Sequence, residues 1–85
     1  MLRISPMESL EGAVTLRLEG RAIGPWVTEL RRACEQVLGS GGKLTLDLSD
    51  VSFFDRNAVD LAHSLRKHDV ALLNCSPFVA EQLKG

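Results

Sequence analysis

Leu44-Thr-Leu-Asp-Leu-Ser-Asp-Val-Ser-Phe-Phe-Asp-Arg-Asn-Ala-Val59 is the stretch whose reading decides the fold. Leu44, Leu46 and Leu48 alternate with Thr45 and Asp47, which predicts a strand with one apolar and one polar face. Asp50 opens a short connection that contains Phe53 and Phe54. Asp55 and Asn57 follow, two residue types that accept hydrogen bonds from the free N–H groups of a helix start. A helix is therefore expected from about Asn57 to His68, burying Ala58, Leu61, Ala62 and Leu65. A polar tip held between an apolar strand and a helix is a place to present a recognition surface.

Upstream, Leu2 to Ile4 reads as a short edge strand, with a turn from Pro6 to Gly12. Val14, Leu16 and Leu18 alternate with Thr15, Arg17 and Glu19, and the short Glu11-Gly12 connection predicts an antiparallel pair. Gly20 to Gly24 is a loop. Pro25 suits the first position of a helix reaching about Leu38, because its missing N–H costs nothing there. Val27, Leu30, Cys34, Val37 and Leu38 form its apolar stripe, and Gly39-Ser40-Gly41-Gly42 ends it. Downstream, Val70 to Leu73 is a short apolar strand. Ser76 caps and Pro77 opens a last helix carrying Phe78, Val79 and Leu83.

The order β-β-α-β-α-β-α implies right-handed crossovers and a mixed four-stranded sheet with three parallel strands. A parallel sheet covered on both faces carries nearly continuous apolar strands. Here Thr15, Arg17, Glu19, Thr45 and Asp47 leave two neighbouring strands with a polar face. The expected fold is α/β, a two-layer open-faced sandwich with all helices on one side.

These segments resemble the STAS family, the domain of anti-sigma-factor antagonists and of sulfate-transporter tails. The family's hallmark is an apolar strand ending in Asp-Leu-Ser, a hydrophobic-aromatic pair, Asp, two small hydroxyl residues, Gly and a helix. Asp47-Leu48-Ser49, Val51, Phe53-Phe54-Asp55 and Val59 match it. Leu18-Glu19-Gly20 is similar to the family's second strand and its exit, and Leu72-Leu73-Asn74-Cys75-Ser76-Pro77 to its last strand and helix. Arg56 and Asn57 depart from the pattern by standing at the two hydroxyl positions, and Ala58 by replacing the Gly.

The resemblance implies a non-enzymatic protein-binding module, an anti-sigma-factor antagonist that docks on an anti-sigma kinase in a partner-switching pathway. It places the docking surface at Ser49, Asp55, Arg56, Asn57 and Asp60. It also implies that the usual phosphoacceptor is missing, since neither Arg56 nor Asn57 carries a hydroxyl. The alternative use of the same family is as an accessory subunit of a lipid or anion transporter ATPase.

Composition narrows the choice further. Eighty-five residues allow one domain, spanning 1–85, with a small core. A hydrophobic share of 45% against 25% charged residues favours a folded chain over a disordered one. Ten basic and eleven acidic residues, without a basic cluster, give no support for nucleic-acid binding. The apolar runs are too short for membrane insertion and Met1-Leu2-Arg3 does not begin a signal peptide, so a cytoplasmic location is expected. A homodimer stays open.

Catalytic chemistry is sparse, and no cofactor is expected. Gly39-Ser-Gly-Gly-Lys43 fails as a phosphate loop because Val37 stands where Gly should and Leu44 where the Mg²⁺-binding hydroxyl should. His63 and His68 have no second His or Cys at metal-ligand spacing, which predicts solvent-facing residues and no metal site. Cys34 reads as a buried small hydrophobe. Cys75 precedes a helix start, where a thiol pKa can fall, and supplies the one enzymatic reading, a thiol enzyme; no base lies near it in sequence. For Asp55-Arg56-Asn57 the bland account is helix capping, with Arg56 pairing Asp60 four residues on.

Overall fold

A computed structural model describes residues 1–9 and 11–84. Its elements are β1 (Leu2–Glu8), β2 (Ala13–Ala22), α1 (Pro25–Gly39), β3 (Lys43–Phe54), α2 (Arg56–Arg66), β4 (Ala71–Leu73) and α3 (Pro77–Gln82). The strands form one sheet in the order β1-β2-β3-β4, antiparallel between β1 and β2 and parallel from β2 to β4. The expected element order and mixed sheet are therefore present. Leu10, inside the turn expected from Pro6 to Gly12, and the terminal Gly85 lie outside the described residues.

The two faces of the sheet differ as the alternation predicts. Leu16 and Leu18 on β2, and Leu44, Leu46 and Leu48 on β3, are buried beneath the helices. They meet Val27, Leu30 and Cys34 of α1, Ala58, Leu61, Ala62 and Leu65 of α2, and Val79 of α3 in one apolar cluster. Thr15, Arg17, Glu19, Thr45 and Asp47 occupy the alternate positions and remain half-buried or exposed. Burying one leucine side chain contributes roughly 1.5–3 kcal/mol, so this one face carries most of the hydrophobic stabilisation.

The loop expected from Gly20 to Gly24 is strand as far as Ala22, and two further element boundaries correct the sequence reading. Pro6 to Glu8 belong to β1 rather than to a turn. The hydrogen bond from Arg21 N–H to the Met1 carbonyl sets the β1–β2 alternation, so Leu2, Ile4, Pro6 and Glu8 turn their backbone groups outward. Pro6 thus stands where its missing N–H would face solvent, which blunts the free edge. The second correction is β3, which continues through the expected connection to Phe54. Arg17 pairs with Asp47 but Glu19 with Asp50, and Gly20 pairs with Val51 but Arg21 with Phe53. Each step inserts one extra β3 residue, a β-bulge. The buried positions then fall at Leu48, Val51 and Phe54, three apart, and the broken period imitates a loop.

Gly20, two residues before the end of β2, has φ +106°, and the Met1 carbonyl packs where a Cβ would project. That explains a glycine in Leu18-Glu19-Gly20: a side chain here would be strained and would push β1 away. Beyond Asp47, no strand among the described residues pairs with β3 on its β4 side. Gln82 of α3 fills the place: its amide donates to the Phe54 carbonyl at 2.8 Å and its Oε1 accepts from the Phe54 N–H at 3.0 Å. One side chain does the work of a strand residue and fixes α3 against β3.

Candidate docking surface

Asp55 is the hinge-pin of the surface predicted from sequence. As N-cap of α2 it accepts from the Ala58 N–H through Oδ1 at 2.8 Å. Its Oδ2 accepts from the Gly24 N–H at 2.9 Å, and its own N–H donates to the Ala22 carbonyl at 3.0 Å. Gly24 is the N-cap of α1 and has no side chain to cap with. Asp55 therefore holds the starts of α1 and α2 together, and both carboxylate oxygens are engaged in that task. Capping was the bland account of this residue, and it is met in full.

Arg56, Asn57 and Asp60 stand exposed on the first turns of α2. The expected Arg56–Asp60 ion pair is not among those formed by the described residues. Such a pair contributes only a few tenths of a kcal/mol, and a cation N-terminal to its anion is the weaker orientation. Arg56 also sits at the positive end of the helix dipole, where a cation costs about 0.3–1 kcal/mol. Asn57 is not the cap. Ala58, at the family's Gly position, is buried at 1% exposure and starts the apolar face of α2.

Ser49 belongs to a different place. It lies in the first bulge of β3, and its N–H donates to Asp47 Oδ1 at 3.0 Å. At roughly 3.3 Å per residue, the strand sets it on the order of 15–20 Å from Asp55. The structure thus groups Asp55, Arg56, Asn57 and Asp60 and leaves Ser49 apart. Asp47 also accepts from the Asn74 side-chain amide at 3.2 Å, and Asn74 adopts a left-handed φ of 61° just after β4. Asp47-Leu48-Ser49 is in this way a bulge clamp that also ties down the β4 exit.

The Ser49 backbone N–H, followed by the Asn74 amide and the Ser49 hydroxyl, holds the Asp47 carboxyl below the usual aspartate range. The folded-state pKa is depressed, so the stability it brings is full above the unfolded value of about 3.9 and fades as pH falls through the folded value. The destabilisation caused by Asp47→Asn should therefore shrink between pH 7 and pH 3 in urea melts, as the wild type loses its clamp. A gap of constant size across that range would show that Asp47 acts without its charge.

The remaining candidates are placed as follows. His63 is half-buried rather than solvent-facing, and its Nε2–H donates to the Leu83 carbonyl at 2.8 Å, since a carbonyl can only accept. It ties α2 to the end of α3, while His68 is exposed. No cluster of three or more metal-ligating side chains occurs among the described residues. Cys34 is fully buried, and loss of hydration pushes its thiol up to about 11, so it is an inert core residue. Cys75 is free and half-buried before Ser76, whose Oγ caps α3 through the Val79 N–H at 3.2 Å. A cleft of about 760 Å³ lies between β1, β2 and α1, floored by Ile4, Val14, Leu16, Ala33 and Val37, and none of its lining residues belongs to this surface. Among the described residues no helix is long and apolar enough to cross a membrane.

Sequence reasoning missed Gln82, Asn74 and the tie made by His63. Each acts on a partner 20 or more residues away, so no local spacing signals it. No protein-family model matches the chain, and no curated protein matches it. The class is therefore defined by the fold alone: a mixed four-stranded sheet with its helices on one side and a capped helix start at the end of β3.

Proposed function

We propose that this chain is a STAS-type protein-binding module, an anti-sigma-factor antagonist that docks on an anti-sigma kinase in a partner-switching pathway. The observation that carries the reading is the start of α2. Asp55 fixes it to α1, and the exposed Arg56, with no ion pair among the described residues, stands at a helix position that disfavours a cation. A local rule broken at a rigid, exposed site is a mark of binding rather than of stability. Asn57 and Asp60 extend the same surface, and Ser49 belongs to it only if the partner reaches along β3. The element order, the open sheet face and the Asp-Leu-Ser clamp support the family. The resemblance brings no catalytic role to any residue, and docking is the whole activity proposed.

In phospho-regulated relatives the switch is a hydroxyl after the conserved Asp. A phosphate would add about −1.5 to −2 charges there. Arg56 carries the opposite charge and cannot be phosphorylated. Binding is then constitutive, or governed by the partner's own state. The test is affinity capture from the native bacterium, followed by titration of the recovered partner and by intact-mass analysis after incubation with it and ATP. A recovered kinase, an unchanged mass and a roughly tenfold or greater loss of affinity in Arg56→Glu are expected, since buried arginines dominate interfaces. Recovery of a transporter ATPase instead would establish the accessory-subunit use. One phosphate mapped to Ser49 or Ser52 and weakening the complex would overturn the constitutive reading.

A further inference from the structure

The open face of the sheet carries an apolar row at the end nearest α2. Phe53 is exposed at 37% and stacks on Phe78 of α3, which is exposed at 57%, with ring centroids 6.2 Å apart and planes inclined by 29°. Arg21 is the β2 register partner of Phe53, so the two side chains leave the same face. Met1, whose carbonyl accepts from Arg21 N–H, continues the row across β1 and is 77% exposed. Apolar positions on both sides thus flank one guanidinium, which forms no ion pair among the described residues.

We infer that this row, Met1, Arg21, Phe53 and Phe78, is a second contact site that takes an acidic segment of a partner protein bearing a bulky apolar side chain. The inference rests on the protein-binding reading and names the chemistry of the bound segment. Stacked rings left in water gain by being covered, and aromatic residues with arginine are the types that dominate protein interfaces. Arg21 supplies the charge that an Asp or Glu beside the apolar anchor would meet, with two parallel hydrogen bonds available.

Charge complementarity also chooses among occupants. An anionic bilayer or nucleic acid needs a broad cationic surface. The same face presents Glu19, Asp47 and Asp50 among Arg3 and Arg17, with Asp50 already paired to Arg17 at 2.6 Å, so its charge is mixed rather than broadly cationic. One carboxylate placed on Arg21 meets the guanidinium with only Glu19 near it, whereas a flat anionic surface meets all three acidic groups. An isologous contact with a second copy of this chain would bring the same groups together, one Arg21 toward another rather than toward a carboxylate. The chain from Phe53 through Phe54 and Asp55 to Arg56 is continuous, so one partner can hold α2 and reach over the sheet end.

The test uses the ¹⁵N-labelled full chain and a short synthetic peptide with Leu and Trp one helical turn apart among glutamates. Its counterparts replace the glutamates by lysines, or the Leu and Trp by serines. Shift changes should centre on Arg21, Phe53 and Phe78 and require both glutamates and apolar residues. Phe53→Ser and Phe78→Ser should each weaken binding about tenfold, and Arg21→Glu should reverse the preference toward the lysine peptide. Circular dichroism melts show whether each variant stays folded, above all Phe53→Ser, because Phe53 is only 37% exposed. Equal binding of the acidic and basic peptides, preference for phosphatidylserine vesicles, or shifts that grow with protein concentration alone would overturn the inference. Shifts confined to Arg56, Asn57 and Asp60 would overturn it while sparing the proposed docking surface. Failure of the docking reading would show separately, as an α2 surface indifferent to Arg56→Glu with the captured partner.

Discussion

Leu46→Ala should cost about 2–5 kcal/mol in urea melts, whereas Thr45→Ala should cost under about 1 kcal/mol. The two residues are neighbours on the same strand. Leu46 is 1% exposed, on a strand that touches all three helices, and pairs with Leu16 on one side and Leu72 on the other. Truncation to Cβ removes its isopropyl group and leaves a cavity in the close-packed core beneath the helices. Thr45 faces outward between Thr15 and Ala71, where water replaces what is lost. A chain of this size has a total stability on the order of 4–13 kcal/mol, so the first substitution approaches the whole margin. If Leu46→Ala unfolds the chain outright, Leu46→Val, expected to lose roughly 0.5–1.5 kcal/mol, keeps the comparison with Thr45 measurable. Equal losses at the two positions would mean that the sheet is not one-faced.

That contrast was legible because it rests on a period of two. The helices are legible from their own period of 3.6: the stripe read for α2 is buried in full, and that of α1 is buried at Val27, Leu30 and Cys34 and half-buried at Val37 and Leu38. Legibility ends where the period does. Two inserted residues in β3 change the spacing of buried positions to three, so Val51 and Phe54 look like parts of a loop. β1 was cut short for a related reason: Pro6 reads as a turn residue, yet on an edge strand its missing N–H merely faces water. The candidate surface was legible in part. Asp55 as a helix cap is a local signal, and its position before α2 follows from it. Its second bond, to Gly24 31 residues earlier, is a product of β2 and β3 lying side by side. Ser49 was grouped with the α2 start because they share one motif in sequence, but the extended β3 between them separates the two in space.

Asp55→Ala is expected to destabilise by about 2–4 kcal/mol, more than a single lost cap of about 1 kcal/mol, because two helix starts lose an acceptor together. The Ala58 N–H at the head of α2 and the Gly24 N–H at the head of α1 would both be left to solvent. Asp55→Asn divides the effect. Its carbonyl oxygen can still cap Ala58, but the NH₂ group that replaces Oδ2 is a donor aimed at a donor, the Gly24 N–H. Asparagine should therefore recover the α2 cap and leave the α1 tie broken, at roughly half the cost of alanine. Amide hydrogen exchange reads the two bonds separately: Asp55→Asn should deprotect Gly24 while sparing Ala58, and Asp55→Ala should deprotect both. Equal deprotection of the two amides in Asp55→Asn would mean that the start of α2 depends on α1 rather than on its own cap. In that case the rigidity of the Arg56 surface would come from packing beneath it, and the carboxylate would be a tether between turns rather than the anchor of the site.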